Sequence, residues 1–164
     1  FSATMQREGG YKLHKVEGDT GGWTYAGIAR NKNPQWPGWA YVDRKETPPT
    51  RYVREFYYDG YWVPIRGDEL PAKIAHSIFD FAVNSSAPGA PKLAIKLAQI
   101  VAGAEPDGVM GPKTVIALAG MEPQAFEQAY ALAKLKRYVE ICMRNRSQSK
   151  FLLGWVSRTL GALS

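Results

Sequence analysis

Apolar positions recur at helical spacing through the second half of the chain and alternate only in a short stretch near its start. Leu70, Ile74, Ile78 and Phe81 step by 4, 4 and 3 residues, which predicts a helix with Asp68 as its N-cap. His76, Asp80 and Asn84 fall four apart along another face of the same helix. A second helix is predicted over 91–101, closed by Gly103 and a turn at Asp107-Gly108, and a third runs from Gly111-Pro112 to Gly120. The longest covers 123–146 with Leu132, Leu135, Val139 and Cys142 as its inward stripe, and the last, 151–163, is amphipathic through Leu152, Trp155, Val156 and Leu160.

The first part reads differently. Residues 2–8 predict a short helix stopped by Gly9-Gly10, and the stretch from Tyr11 to Ile28 alternates loosely around a glycine-rich cluster at 18–22, which predicts a small β-ribbon. Residues 33–39 (NPQWPGW) read as a Pro/Trp-rich surface loop, and Thr47 before Pro48-Pro49 as the N-cap of a helix running to Tyr58. No repeat or low-complexity linker interrupts the pattern. The expectation is a single α+β domain, mainly α, over 1–164, with a ribbon-bearing subregion 1–66 and a helical half 67–164.

Composition narrows the chemistry. At 164 residues with 45% hydrophobic content the chain can build its own core, and with Cys142 as its sole cysteine it is not a disulfide scaffold. His14, His76 and Cys142 are the only soft ligands, so neither a metal site nor a cofactor is expected. No apolar run reaches the roughly 18–20 residues of a membrane span, and residues 1–10 lack the charged and apolar regions of a signal peptide. Export through a holin or a secretion system is therefore expected if the protein acts outside the cytoplasm. The net charge of +6 is concentrated at the end, where residues 134–164 carry seven basic side chains and one acidic. This predicts docking to an anionic wall or membrane surface through Lys134, Lys136, Arg137, Arg144 and Arg146. No nucleic-acid motif accompanies the charge, and nucleic acid is not an expected partner.

Two carboxyls stand in places that suit chemistry. Glu8, at the end of the first predicted helix, would meet the negative pole of the macrodipole, which favours its protonated form and suits a general acid. By its pattern alone it is also a solvent-facing Glu before a glycine stop. Asp19 lies in the turn Gly18-Asp19-Thr20-Gly21-Gly22, followed by Thr24; these residues could hold water across a scissile bond from Glu8, or simply cap a hairpin turn. Trp23 and Tyr25 offer rings of the kind that stack on pyranose faces, while Asp80 and Asn84 offer hydrogen bonds to sugar.

Taken together, Glu8-Gly9-Gly10-Tyr11, Asp19-Thr20-Gly21-Gly22-Trp23-Thr24 and Gly27-Ile28 resemble the signature of family-108 glycoside hydrolases, the N-acetylmuramidases of phages and bacteria. The segments 79–85 and 107–114, and the ending at 151–158, resemble the predicted peptidoglycan-binding half that follows in that family. The resemblance implies a lysozyme-like fold and cleavage of the β-1,4 bond between N-acetylmuramic acid and N-acetylglucosamine in the periplasm or on the cell wall. It implies Glu8 as general acid, Asp19 as the second carboxylate and Thr24 as the hydroxyl that holds the attacking water. Its implied partner is the peptidoglycan glycan strand, cleaved by a monomer, with an immunity or inhibitor protein if the enzyme is a secreted toxin rather than an endolysin. Trp23 and Tyr25-Ala26 depart from the residues commonest in the family at those positions. A lytic transglycosylase and a non-catalytic peptidoglycan-binding module are the alternatives; the first yields a 1,6-anhydro product, and the second is indifferent to Glu8→Gln. The motif at 107–114 reads as turn and helix-cap chemistry rather than as a site.

Overall fold

Among the described residues, three short strands make an antiparallel sheet in the order β1 (Leu13–Lys15), β2 (Trp23–Tyr25), β3 (Ile28–Ala29). In this computed structural model residues 11–15 and 22–161 are described, and the chain forms two compact units, Phe1–Tyr58 and Asp59–Ser164. The register pairs His14 with Thr24 across β1 and β2, and Thr24 with Ala29 across β2 and β3. The turn between β2 and β3 is tight. Ala26 and Gly27 both have positive φ, 50° and 79°, the primed geometry that matches the twist of a hairpin, and Ala26 accepts a left-handed conformation that glycine would adopt freely. The expected ribbon is therefore present. The predicted helix over 2–8 lies outside the described residues.

The first unit's core holds this turn in place. Tyr57, on helix α2 (Thr50–Tyr57), donates its hydroxyl to the Ala26 carbonyl at 2.8 Å, and Ala26, Ile28 and Val53 are fully buried. Trp36 and Trp39 are 6% and 3% exposed, so the Pro/Trp-rich segment is not the surface loop its composition suggests. The indoles turn inward because Gly38 leaves space where a Cβ would stand 2.1 Å from the Trp36 ring, and because each N–H finds a carbonyl, Trp36 on Tyr52 at 3.1 Å and Trp39 on Asn33 at 2.8 Å. Helix α1 (Trp39–Asp43) follows, tied back by a bidentate pair from Arg30 to Asp43 at 2.6 and 2.9 Å. Helix α2 begins at Thr50 with Pro49 before it, and Thr47 does not cap it: the two prolines hold the chain extended until their rings are passed.

The second unit is helical: α3 (Ala72–Ser85), α4 (Lys92–Val101), α5 (Pro112–Ala119), α6 (Pro123–Arg144) and α7 (Ser149–Gly161). α6 packs against α3, α4 and α7, and α3 also packs on α4. Ile74 and Ile78 are fully buried and Phe81 nearly so, as predicted for the stripe, while Leu70, its predicted first member, is buried but precedes the helix in extended chain. Asp68 does not cap it. Instead Asp68 accepts the Trp62 indole N–H at 2.9 Å, and Pro71 precedes the first turn. The inward face of α6 is Phe126, Tyr130, Lys134, Tyr138 and Cys142, a strict i+4 series, while Leu132 and Val139 are exposed. Aromatic rings bury more area than leucine, and Phe126 stacks on Tyr130 at 5.1 Å, which turns that face inward at the expense of the aliphatic one. Lys134 joins it with its ammonium over the Tyr130 ring at 5.1 Å and the Phe81 ring at 5.8 Å, so this lysine belongs to the interior and not to a docking surface. On α7 the inward set is Leu152, Trp155, Val156 and Thr159, with Leu160 exposed.

The 107–114 motif is a hydrogen-bonded knot. Gln99, 1% exposed, donates to Asp107 at 2.7 Å, to the Val109 carbonyl at 3.0 Å and to Thr114 at 3.2 Å, and accepts from the Gly108 N–H at 2.9 Å. Gly108 has φ +81°, where a Cβ would press on Lys92 and Lys96. These contacts hold the turn to α4 and start α5, the structural work its composition suggests.

Candidate active site

β2 presents the described part of the candidate site. Its pleat sends Thr24 to one face of the sheet and Trp23 and Tyr25 to the other. Thr24 is half-buried, on the central strand, and its hydroxyl has no hydrogen-bond partner among the described residues. His14 and Ala29 flank it across the strands. His14 is thus a neighbour of Thr24 that the sequence does not reveal, because register sets cross-strand neighbours and no spacing rule spells it out.

The two rings on the opposite face differ. Trp23 is exposed, whereas Tyr25 is buried and stacks on Trp36 at 5.9 Å with the ring planes 25° apart. Burial, reinforced by the nearby Tyr11, pushes the Tyr25 hydroxyl above its ordinary pKa, and that hydroxyl has no hydrogen-bond partner among the described residues. One ring is therefore offered to solvent and the other anchors the strand to the core. Glu8 and Asp19, the two carboxyls named from the sequence, lie outside the described residues, as does the intervening Glu17.

In the second unit the polar row on α3 separates into three environments. His76 is exposed beside the Trp62 ring, 5.6 Å between centroids. Asp80 is half-buried, and its charge helps to hold the Tyr130 and Tyr138 hydroxyls above their usual pKa, burial being the larger cause for both. Asn84 is exposed, donates its amide to the Asp80 carbonyl at 2.7 Å, and lines a cavity of about 390 Å³ with Arg137, Tyr138, Trp155 and Arg158. No spacing on a single helix foretells that cavity, since α3, α4, α6 and α7 all contribute to its wall. Among the described residues no group of His, Cys, Asp and Glu has the arrangement to hold a metal ion, and no helix is long and apolar enough to cross a membrane.

A family model described as glycosyl hydrolase 108 matches residues 1–86, from the segment that carries Glu8 to the end of α3. The chain belongs to the glycosyl hydrolase 108 family. A second model, described as a predicted peptidoglycan domain, matches residues 93–160, which span α4 to α7. Among solved structures, "Structure of Brucella abortus SagA" is similar with a TM-score of 0.69 and 26% identity, covering 99% of this chain and 88% of that one. No curated protein matches the chain. The fold is lysozyme-like, α+β and mainly α, as the sequence resemblance implies. A glycoside hydrolase segment joined to a peptidoglycan domain makes this family-108 protein a peptidoglycan hydrolase that acts on the cell wall.

Proposed function

We propose that the chain is an inverting N-acetylmuramidase that cleaves the β-1,4 bond between N-acetylmuramic acid and N-acetylglucosamine. In this reading Glu8, protonated, gives its proton to the glycosidic oxygen as the C1–O bond breaks. Asp19, ionised, stabilises the oxocarbenium-like charge and takes a proton from the incoming water, whose oxygen forms the new bond to C1 on the opposite face. Thr24 holds that water. A carboxyl separation of roughly 6.5–9.5 Å would leave room for it. The observation that supports the reading best is the Thr24 hydroxyl, half-buried on the central strand and uncommitted among the described residues, inside the run that the family model covers.

Trp23, exposed on the face of β2 opposite Thr24, offers a ring to a sugar of the glycan strand beyond the scissile bond, and Tyr25 on that same face anchors β2 to the core. Within the second unit by itself, Asp80 and Asn84 offer hydrogen bonds to the peptidoglycan polymer. The same chemistry serves a phage endolysin or a secreted antibacterial toxin, and only the toxin needs an immunity protein that covers the cleft. The experiment is digestion of purified peptidoglycan by the unaltered protein, Glu8→Gln, Asp19→Asn and Thr24→Val, with mass spectrometry of the products. Reducing N-acetylmuramic acid ends that disappear in Glu8→Gln support the proposal. A 1,6-anhydro end would assign the chain to transglycosylation instead.

A further inference from the structure

The cavity beside Asn84 carries chemistry that a glycan strand does not use. Its volume, about 390 Å³, falls within the roughly 300–1,000 Å³ of small-ligand sites. Two guanidiniums line it. Arg137 makes one long ion pair, 3.8 Å to Glu140, and its Nε is buried with no hydrogen-bond partner among the described residues. Arg158, exposed on α7, has neither an ion pair nor a hydrogen bond among the described residues, and lies close enough for its charge to act on the Tyr138 hydroxyl. The Tyr138 and Trp155 rings, also in its lining, stand 5.1 Å apart at 30°, a flat apolar wall. Asn84 spends its amide N–H on its own helix and keeps its carbonyl oxygen as an acceptor. The acidic groups nearby are Glu140, set against Arg137, and Asp80, one turn before Asn84.

A fork of five fixed donors recognises a planar anion, above all a carboxylate, and a carboxamide oxygen recognises an N–H. The N-acetylated sugars of peptidoglycan are neutral, since the lactyl carboxyl of N-acetylmuramic acid is amidated where a peptide is attached. The wall's carboxylates and amide N–H groups sit together on the stem peptides. We infer that this cavity is a binding site for the stem peptide of peptidoglycan, with Arg137 and Arg158 on its free carboxylates, Asn84 accepting from a peptide N–H, and Trp155 and Tyr138 against the aliphatic backbone. The proposal takes its ligand from the peptidoglycan reading above and adds which part of the polymer this half of the chain holds. It makes the protein sensitive to how densely a strand is decorated with peptides.

The test is a ligand-observed NMR titration of the whole chain with the tripeptide L-Ala-γ-D-Glu-L-Lys and with its fully amidated counterpart. The free acid binds and the amide does not. Arg158→Gln weakens the free acid about tenfold to a hundredfold, as loss of a charge-assisted pair does, and Arg158→Lys recovers part of that because it keeps the charge without the fork. Equal binding of acid and amide by the unaltered protein overturns the proposal, and so does an unchanged affinity in Arg158→Gln. Displacement of the tripeptide by an equal concentration of inorganic phosphate also overturns it, reassigning the cavity to a phosphate polymer. Cleavage of glycan strands freed of their peptides is followed separately. Tripeptide binding without such cleavage sinks the muramidase reading and leaves the cavity's ligand standing; cleavage without tripeptide binding does the reverse.

Discussion

Replacing Gln99 with leucine tests whether the 107–114 segment is held by its hydrogen bonds or is instead a ligand site. Leucine has nearly the same volume, so packing changes little, but four interactions vanish at once: the donations to Asp107, Val109 and Thr114, and the acceptance from Gly108. Gly108 and Thr114 are buried, so the Gly108 N–H and the Thr114 hydroxyl lose a partner where water cannot easily replace it. An orphaned buried polar group costs about 1–3 kcal/mol and a neutral hydrogen bond contributes about 1 kcal/mol, while the added apolar side chain gives part of this back. The sum, with overlapping terms counted once, is about 3 kcal/mol. At this size roughly 2–4 °C accompanies each kcal/mol, so calorimetry should find the transition about 6–12 °C lower. Gln99→Glu adds a second arm. It buries a carboxylate beside Asp107, which raises the pKa of the new group in the folded state, so the loss should deepen as pH rises through that value and shrink on acidification. A fall of less than about 2 °C in Gln99→Leu, together with weakened binding to cell walls, would refute the structural account and make the motif a binding element.

Tyr57→Phe removes the partner of the buried Ala26 carbonyl and should cost about 1–3 kcal/mol, read as a lower urea midpoint with unchanged slope. Acid titration of stability should show one direction only. Asp43 beside Arg30, Glu46 beside Arg44, Glu69 beside Arg66, Asp107 under Gln99 and Glu122 capping α6 are all held below their ordinary values of 3.8 for Asp and 4.5 for Glu. The unfolded chain then binds more protons, so their contribution is present above the ordinary values and is lost as pH falls through the lowered ones; a urea midpoint that rises between pH 5 and about 3 contradicts this. Thr24→Val should reduce peptidoglycan turnover about 10²-fold or more with an unaltered melting temperature, and a melting temperature that falls in step with activity would make Thr24 structural. Neutralising Lys136, Arg144 and Arg146, all exposed, should slow clearing of intact walls at low ionic strength and make no difference at high salt; equal rates at both would remove the docking role.

The helices of the second unit are legible because each carries its own period, and the α3 stripe needs nothing beyond the spacing of Ile74, Ile78 and Phe81, although the same spacing extends the helix too far back, to Leu70, which lies in extended chain before it. The face of α6 was harder to read. Two apolar series run along it, one aliphatic and one aromatic with a lysine in its midst, and only packing against Phe81 decides between them. Hydropathy alone disfavours a face that contains Lys134, yet a lysine stem lies well over aromatic rings. Trp36 and Trp39 depart from the expected surface loop for a related reason. Proline and glycine around them signal a turn, and a turn can fold its side chains inward when a glycine clears the space. At the site the motif was legible as spacing alone, and spacing could not report that Thr24 and Tyr25 face opposite sides of the sheet, or that His14 lies across from Thr24.

The same opposition explains how a short ribbon could serve chemistry. A three-residue strand is a weak platform by itself, and isolated hairpins are at best marginally stable. Here the face away from Thr24 carries Tyr25 into the core against Trp36, and Trp36 in turn reaches α2 through the Tyr52 carbonyl. The next residue, Ala26, holds a left-handed conformation that costs it about 1–2 kcal/mol, and the Tyr57 hydroxyl and complete burial offset this. Both ties run to α2, so β2 is fixed at its buried end and through its inward ring while the Thr24 hydroxyl remains uncommitted among the described residues. A hydroxyl in the water-holding role proposed for Thr24 has to be held within about half an ångström of its working place, and a rigid element with one packed face does this better than a loop. The strain at Ala26 is therefore the local cost of a tight turn that sets Thr24 in register with α2, and loosening either tie should blur the position of Thr24 before it unfolds the unit.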